Sequence, residues 1–250
     1  MATQTETQLK AKKAIVTGGT RGIGRAVVEA LARAGVDVLL TGTTQKSTEK
    51  AVEELSRAGL KVFGFPADVS REEDVLHLYE FADRTLGGLD ILVNNAGIGV
   101  FQPAGEMSLL DWKRVVDVNL TGAFHCSRLA IPRMKAAGGG YIVQLSSLAA
   151  KNPFATGAAY NASKFGMNGM AEAMMLDHRY DNIRVTTIMP GSVDTEFGRA
   201  EVGKAEKGSA ASNWKISPDD VADMVLAVLR MPERTLVSRV EIRPTRPPRK

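Results

Sequence analysis

The chain has 250 residues, of which 44% are hydrophobic and 24% are charged, and this composition is ordinary for a globular protein with enough apolar material for a core. Cys126 is the single cysteine, which excludes an intrachain disulfide and fits a reducing compartment. The N-terminus lacks the apolar stretch of a signal peptide, and no apolar run approaches the roughly 20 residues that span a bilayer. We therefore expect a cytoplasmic protein that is not inserted in a membrane.

The net charge of +4 does not indicate a nucleic-acid interface, because it lies at one end of the chain. Arg243, Arg246, Arg249 and Lys250 account for the whole excess, and prolines separate them. We interpret residues 244–250 as a solvated, basic, proline-rich tail, although a binding arm remains the alternative.

Apolar runs alternate with segments of helical periodicity from residue 11 to residue 243, after a polar leader over residues 1–10 that we expect to be disordered. The predicted strands are 14–16, 36–41, 62–65, 90–93, 141–145, 184–188 and 239–242. The predicted helices are 25–34, 48–58, 72–86, 158–180 and 218–231, with further helix inside 109–136. Several strands are continuously apolar, which indicates a parallel sheet with helices on both faces. We predict one doubly wound α/β domain with a Rossmann fold.

A glycine-rich turn, Thr17-Gly18-Gly19-Thr20-Arg21-Gly22-Ile23-Gly24, separates the first strand from the first helix. Gly18 permits a tight turn, while Gly22 and Gly24 let the backbone approach a pyrophosphate and let the helix pack on the strand. The exposed N–H groups and the helix dipole favour phosphate there. An ordinary turn with chance glycines is the alternative to a dinucleotide site.

The end of the second strand bears on the choice of cofactor. An acidic side chain usually binds the free ribose 2′-hydroxyl of NAD(H) at this place, and residues 41–44 contain none. Arg21 is placed to meet a 2′-phosphate, so we predict NADP(H) over NAD(H), with a purely structural Arg21 as the alternative. Asp68 could accept a hydrogen bond from adenine or cap the following helix, and Asn94 and Asn95 could contact a ligand or brace the backbone.

Tyr160 and Lys164 lie four residues apart, on one face of a predicted helix. An ammonium beside a phenol favours the phenolate, so we expect the pKa of Tyr160 to be lowered. Such a tyrosine exchanges protons near neutral pH.

Together these residues resemble the short-chain dehydrogenase/reductase family, in its compact single-domain branch, over about residues 12–242. The resemblance depends on the glycine turn, Asn94-Asn95-Ala96-Gly97, Asn119, Ser147, Tyr160-x-x-x-Lys164 and Pro190-Gly191. It is greatest to 3-oxoacyl-carrier-protein reductases and related NADPH-dependent ketone reductases. The ending Val240-Glu241-Ile242-Arg243-Pro244 departs from the glycine-rich close of many such relatives, which weakens the carrier-protein assignment.

The resemblance implies a role for each residue of the catalytic group. Tyr160 is the general acid or base, Lys164 lowers its pKa and holds the nicotinamide ribose, and Ser147 hydrogen-bonds the substrate carbonyl. Asn119 distorts its helix and holds a water that relays protons to Lys164. The resemblance also implies a homotetramer or dimer, a small carbonyl or alcohol substrate or an acyl thioester, and no metal. The predicted cofactor contacts are Gly18, Thr20, Arg21, Gly22, Ile23, Gly24, Thr43, Asp68, Val69, Asn95, Ala96, Gly97, Tyr160, Lys164, Pro190, Gly191, Val193 and Thr195.

The substrate remains open. Residues 196–216 contain few apolar anchors, and we expect a mobile lid. Phe101, Phe154, Phe197 and Trp214 are candidate pocket walls, and Lys204 and Lys207 could attract an acidic carrier.

Two other functions remain possible from the sequence alone. A sugar-nucleotide epimerase or dehydratase also uses Tyr-x-x-x-Lys, but with a longer C-terminal substrate domain. A cofactor-binding regulatory protein would have no need of the catalytic group.

Overall fold

The computed structural model describes residues 9–197 and 214–248, in which one seven-stranded sheet has the order β3-β2-β1-β4-β5-β6-β7. Every neighbouring pair of strands is parallel. The strands are β1 (Lys13–Val16), β2 (Asp37–Gly42), β3 (Val62–Pro66), β4 (Ile91–Asn94), β5 (Gly140–Leu145), β6 (Ile183–Pro190) and β7 (Arg239–Ile242). The predicted parallel, doubly wound Rossmann fold is confirmed.

Seven α-helices connect the strands in the described part of the chain. They are α1 (Gly22–Arg33), α2 (Gln45–Arg57), α3 (Glu72–Leu86), α4 (Leu109–Val116), α5 (Gly122–Ala136), α6 (Ala158–His178) and α7 (Pro218–Leu229). A π-helical turn, Asp117–Thr121, joins α4 to α5, and short 3₁₀ turns follow β5 and α6. Helix α1 begins three residues before the predicted start, because the glycine turn itself opens the helix.

Apolar side chains are buried on both faces of the sheet. Along β1, Ala14 and Val16 pack with α1, α2 and α7, while Ile15 points to the opposite face and packs with α3, α5 and α6. This two-sided burial is the reason for the continuously apolar strands, since a strand with one wet face would alternate polar and apolar residues.

The strand order reverses beside β1, the third of the seven strands in the sheet. Ala14 pairs with Val38 of β2 on one side and with Ile91 of β4 on the other. The connections after β1 and β4 therefore leave the sheet in different directions and open a crevice at its carboxyl edge, where α/β proteins bind ligands.

The ends of the chain differ in part from expectation. Leu9, inside the predicted leader, is 4% exposed and packs in the core on the same side of the sheet as Ala14 and Val16. Residues 1–8 lie outside the described residues. Directly before the tail, Arg243 pairs with Glu241 of β7. Within residues 9–197 and 214–248, none of the helices has the length and apolar character that crossing a membrane requires.

Candidate active site

The glycine turn has a backbone shape that side chains would disrupt. Gly18 and Gly22 have positive φ angles of 64° and 55°, which L-residues rarely adopt. A Cβ atom on Gly24 would lie 2.2 Å from the carbonyl oxygen of Gly18. Above Gly22 the nearest atom to such a Cβ would be Cγ2 of Thr195 at 3.4 Å, so the first turn of α1 stays accessible from the crevice.

Thr17 and Asn95 fasten the turn to the end of β4. The Thr17 hydroxyl accepts hydrogen bonds from the backbone N–H groups of Asn95 and Ala96, both at 3.0 Å. The Asn95 amide donates to the carbonyl oxygens of Thr17 and Gly18, at 2.9 and 3.0 Å. Asn95 therefore braces the backbone, which was one of the two alternatives given for it by the sequence. The bracing role of Thr17 was not predicted from the sequence, although its position directly before the glycines could have indicated it.

Asp68 lies at the edge of the crevice but does not cap α3. Its carboxylate accepts hydrogen bonds from the N–H and hydroxyl of Ser70, at 3.0 and 2.7 Å. The N-cap residue of α3 is Arg71, which makes no side-chain cap bond. The helix-cap interpretation was wrong, because the short carboxylate is used by the turn that precedes the helix.

A cleft of about 940 Å³ extends along the carboxyl edge of the sheet. It brings together most of the predicted site residues: Gly18, Thr20, Arg21, Gly22, Ile23, Thr43, Asp68, Val69, Asn95, Ala96, Gly97, Ser147, Tyr160, Lys164, Pro190, Gly191, Val193 and Thr195. Gly24 and Asn119 do not line the cleft. Gly24 packs within the glycine turn, and Asn119 hydrogen-bonds the loop after β4.

Tyr160 and Ser147 meet inside this cleft. The Ser147 hydroxyl is hydrogen-bonded to the Tyr160 phenol. Ser147 also caps the 3₁₀ turn after β5, accepting from the N–H of Ala149 at 3.1 Å, so a strand end and the first turn of α6 bring the two hydroxyls together. The pair presents two hydroxyl groups to one point in the cleft.

Lys164 lies behind the tyrosine and is 4% exposed. Its ammonium donates to the carbonyl oxygen of Leu145 at 2.8 Å and is 5.9 Å from the centre of the Tyr160 ring. Burial lowers the pKa of Lys164 to about 8, because the charged form loses its water.

The pKa of Tyr160 differs from the sequence expectation. Burial raises this pKa above its usual value, and the hydrogen bond from Ser147 opposes the rise. Burial of the phenol outweighs the lowering that was expected from Lys164, whose ammonium hydrogen-bonds the Leu145 carbonyl oxygen. The phenol is therefore held in its protonated, proton-donating form.

Asn119 lies in the π-helical turn, so the predicted helix distortion is confirmed. Its amide donates to the carbonyl oxygen of Ile98 at 2.9 Å and to the Ser163 hydroxyl at 3.0 Å, and its oxygen accepts from the Ile98 N–H at 2.8 Å. Both amide protons are thus used, and the side chain ties the β4 loop to α6.

Three of the four candidate pocket walls lie near Tyr160. The rings of Phe101, Phe154 and Phe197 all contact its ring. Trp214 does not: it lies in a separate depression beside Ile242 and the start of the tail. Residues 198–213, which include Lys204, Lys207 and most of the expected lid, lie outside the described residues. Arg114 and Lys215 also line the cleft and were missed, since nothing in the local sequence marks them.

The sequence pattern of the short chain dehydrogenase family matches residues 12–206. The chain belongs to this family. The protein is thus an oxidoreductase of the short-chain dehydrogenase type.

Similar proteins differ in length and in the compounds that their names mention. A glycine betaine reductase of Emericella nidulans is 35% identical over 239 residues, which are 94% of this chain and 19% of that protein. The alcohol dehydrogenase of the archaeon Thermococcus sibiricus, solved with 5-hydroxy-NADP, has a TM-score of 0.85 and 28% identity over 96% of this chain and 99% of that one. A 7α-hydroxysteroid dehydrogenase, solved with NADH and 7-oxo glycochenodeoxycholic acid, has a TM-score of 0.88 and 29% identity over 98% of both chains.

Proposed function

We propose that this short-chain dehydrogenase is an NADP(H)-dependent enzyme that interconverts a carbonyl compound and a secondary or primary alcohol, acting as a ketone, aldehyde or 3-oxoacyl reductase. The observation that carries the proposal is the hydrogen-bonded Ser147 and Tyr160 pair, with Lys164 buried behind it, in the same cleft as the glycine turn. A regulatory protein that only bound the cofactor would have no use for this pair.

A nicotinamide dinucleotide fits the residues of the cleft. The glycine turn leaves backbone open above Gly22, where N–H groups and the α1 dipole favour a pyrophosphate. Lys164 and the loop after β6, from Pro190 to Thr195, line the other end, where a nicotinamide and its ribose would be held. Two solved relatives, bound to 5-hydroxy-NADP and to NADH, support this class of cofactor.

The preference for NADP(H) rests on charge at the adenosine end. The cleft is lined there by Arg21, Gly42 and Thr43, with no carboxylate at the end of β2. Arg21 is 77% exposed and 3.6 Å from Glu196, so its guanidinium is free to turn towards a 2′-phosphate. A 2′-phosphate would find a cation and no opposing acid beside β2.

The bound cofactor would supply or accept a hydride at the substrate carbon. The residues of the chain provide the rest of the chemistry. The Ser147 and Tyr160 hydroxyls would hold the substrate oxygen and stabilise the negative charge that develops on it. The raised pKa of Tyr160 keeps its proton available for delivery to that oxygen. Lys164, buried behind the tyrosine with its pKa lowered to about 8, would hold the nicotinamide ribose and change protonation near neutral pH.

The proposed function is tested by following NADPH and NADH oxidation with ketones, aldehydes and 3-oxoacyl thioesters, in the wild type and in Tyr160→Phe. The wild type should turn over with NADPH. Tyr160→Phe should lose about 10²–10⁴-fold in kcat, the usual contribution of a general acid, while NADPH binding is retained. Full activity of Tyr160→Phe would contradict the assignment, and tight NADPH binding without turnover of any carbonyl would favour the regulatory alternative.

We also propose a homo-oligomer in the cytoplasm. Exposed apolar side chains on α4, α5 and α6 support self-association: Leu109, Leu110, Trp112, Phe124 and Phe165. Light scattering should give a dimer or tetramer, and a monomer at micromolar concentration would contradict this. The buried free thiol of Cys126 fits a reducing compartment, and a fluorescent fusion found outside the cytoplasm would overturn that location.

A further inference from the structure

Three phenylalanine rings surround the ring of Tyr160, and we call them the aromatic wall: Phe101, Phe154 and Phe197. Their ring centres lie 5.8, 6.3 and 5.6 Å from that of Tyr160. Phe101 and Phe154 also contact each other at 5.6 Å. The three rings come from three distant segments: the loop after β4, the loop before α6 and the loop after β6.

The two loops that carry Phe101 and Phe154 are fastened to each other and to the catalytic helix. Gln102 pairs with Gly157 in an isolated bridge, and its N–H donates to the carbonyl oxygen of Thr156 at 2.8 Å. Asn161, in the first turn of α6, donates its amide to the carbonyl oxygen of Phe154 at 3.0 Å. A shift of either ring would therefore disturb the helix that holds Tyr160.

The two rings also rest on glycines. A Cβ atom on Gly99 would lie 2.5 Å from the Phe101 ring, and one on Gly157 would lie 2.7 Å from the Phe154 ring. Between Phe154 and α6, Thr156 has a φ of 65°, a strained value for a β-branched residue. Such strain persists only where the surrounding contacts fix it, which indicates that the position of Phe154 is tightly determined.

The wall nevertheless leaves apolar surface uncovered. Phe197, which lines the cleft, is 46% exposed, and Phe154, which contacts both Tyr160 and Phe101 of the cleft lining, is 45% exposed. The three rings meet the Tyr160 ring at angles of 72°, 47° and 51°, so they pack obliquely around that ring and present apolar carbon to a substrate. A flat or compact apolar group resting on the wall would bury this surface.

We propose that the aromatic wall binds an uncharged aryl or compact hydrocarbon group carried next to the substrate carbonyl, so that Phe154 and Phe197 determine substrate specificity. The inference rests on the proposed function, because it takes the Tyr160 hydroxyl as the place of the carbonyl oxygen. The chemical class is a neutral arylalkyl or branched alkyl ketone or aldehyde.

The first experiment compares kcat/KM for phenylacetone and 2-butanone, two methyl ketones in which a phenyl group of the first replaces a methyl group of the second. The wild type should prefer phenylacetone by at least about tenfold, the effect expected from burying much of a ring. In Phe154→Ala and Phe197→Ala the preference should fall about three- to tenfold, mainly through KM. Phe63→Ala removes a half-buried ring on β3, at the far edge of the sheet, and should leave the preference unchanged. An unchanged preference in both wall variants would overturn the inference.

A second pair of substrates tests whether the group that binds the wall is uncharged. Trimethylammonioacetaldehyde and 3,3-dimethylbutanal have the same shape and differ in one positive charge. The hydrocarbon aldehyde should have the higher kcat/KM, and a preference for the ammonium compound would overturn the inference in favour of a cation-binding wall.

Ligand-observed NMR on NADPH-loaded Tyr160→Phe protein separates this inference from the proposed function. Tighter binding of phenylacetone than of 2-butanone, lost in a second variant that adds Phe154→Ala, would support the wall even if the wild type turned over neither ketone. Equal binding of the two ketones would overturn the wall even if the enzyme were an active reductase. Thermal unfolding of each variant checks that it is folded.

Discussion

The two ends of the cleft are built in different ways. The cofactor end consists of backbone: a glycine turn, the N-terminus of α1 and the carboxyl ends of β1 and β4, with Asn95 and Thr17 as braces. The substrate end consists of side chains, three aromatic rings from three distant loops. A backbone site requires particular residues within a few positions of one another, whereas a side-chain site can be assembled from anywhere in the chain. The first can therefore be recognised from a short motif, whereas for the second the sequence offers candidate side chains without showing which of them meet.

The largest expected effect tests whether the cofactor end tolerates any added atom. Gly24→Ala places a methyl group 2.2 Å from the carbonyl oxygen of Gly18, so the turn must shift. We expect a loss of about 3 kcal/mol in the free energy of unfolding and of at least tenfold in NADPH affinity. Urea unfolding and a fluorescence titration measure both.

Gly169→Ala is the matched control, since it also lies in a helix but has no atom within 4 Å of the added methyl group. It should gain about 0.5–1 kcal/mol from helix propensity. Equal stability of the two alanine variants would contradict the inference that the glycine turn tolerates an added methyl group less well than the rest of the fold does.

Lys164 lies where the two ends meet, and its burial makes stability depend on pH. Its folded pKa of about 8 lies below the usual 10.5, so the unfolded chain binds more protons between these values and stability rises with pH. Relative to Lys164→Met, the free energy of unfolding of the wild type should rise by about 1–2 kcal/mol from pH 7.5 to pH 9.5. Urea unfolding at both pH values measures the difference, and parallel pH profiles would show that Lys164 is not desolvated.

Arg21 tests whether a side chain sets the choice of cofactor at an end otherwise made of backbone. Arg21→Ala should lower the NADPH/NADH ratio of kcat/KM by about tenfold, the worth of one charged hydrogen bond. Arg33→Ala, at the other end of α1, removes an ion pair with Glu29 and should not change the ratio. An unchanged ratio in Arg21→Ala would assign the cofactor preference to other groups.

The smallest effect concerns a contact between the two ends. Glu196, beside Phe197 of the wall, lies 3.6 Å from Arg21, and both side chains are exposed, so the pair is weak and screened by salt. Glu196→Gln frees Arg21 for a 2′-phosphate and should tighten NADPH binding at low salt by up to about threefold. Weaker NADPH binding in this variant would instead show that the Arg21–Glu196 ion pair helps to hold the bound cofactor.

The sequence predictions succeeded where a local pattern determines the structure and failed where tertiary contacts between side chains do. Parallel strands buried on both faces are apolar throughout, so the sheet, its helices and Tyr160-x-x-x-Lys164 were predictable. The pKa of Tyr160 was predicted in the wrong direction, because the spacing to Lys164 does not reveal that the phenol is buried. Trp214 was placed at the wrong depression, since the sequence after Phe197 gives no information on where the chain lies at Trp214. The aromatic rings were named, but the glycines beneath Phe101 and Phe154 and the strained Thr156 depend on tertiary contacts.

The position of β1 has a consequence during synthesis on the ribosome. This strand is the first to emerge and lies inside the finished sheet, yet Ala14 finds its second neighbour only when Ile91 is made. At about 5–20 residues per second, the apolar strand waits for several seconds with one hydrogen-bonding edge open, which is the kind of edge that seeds aggregation. Before its fourth strand appears, the nascent chain therefore carries an open edge of β1 that a chaperone would protect.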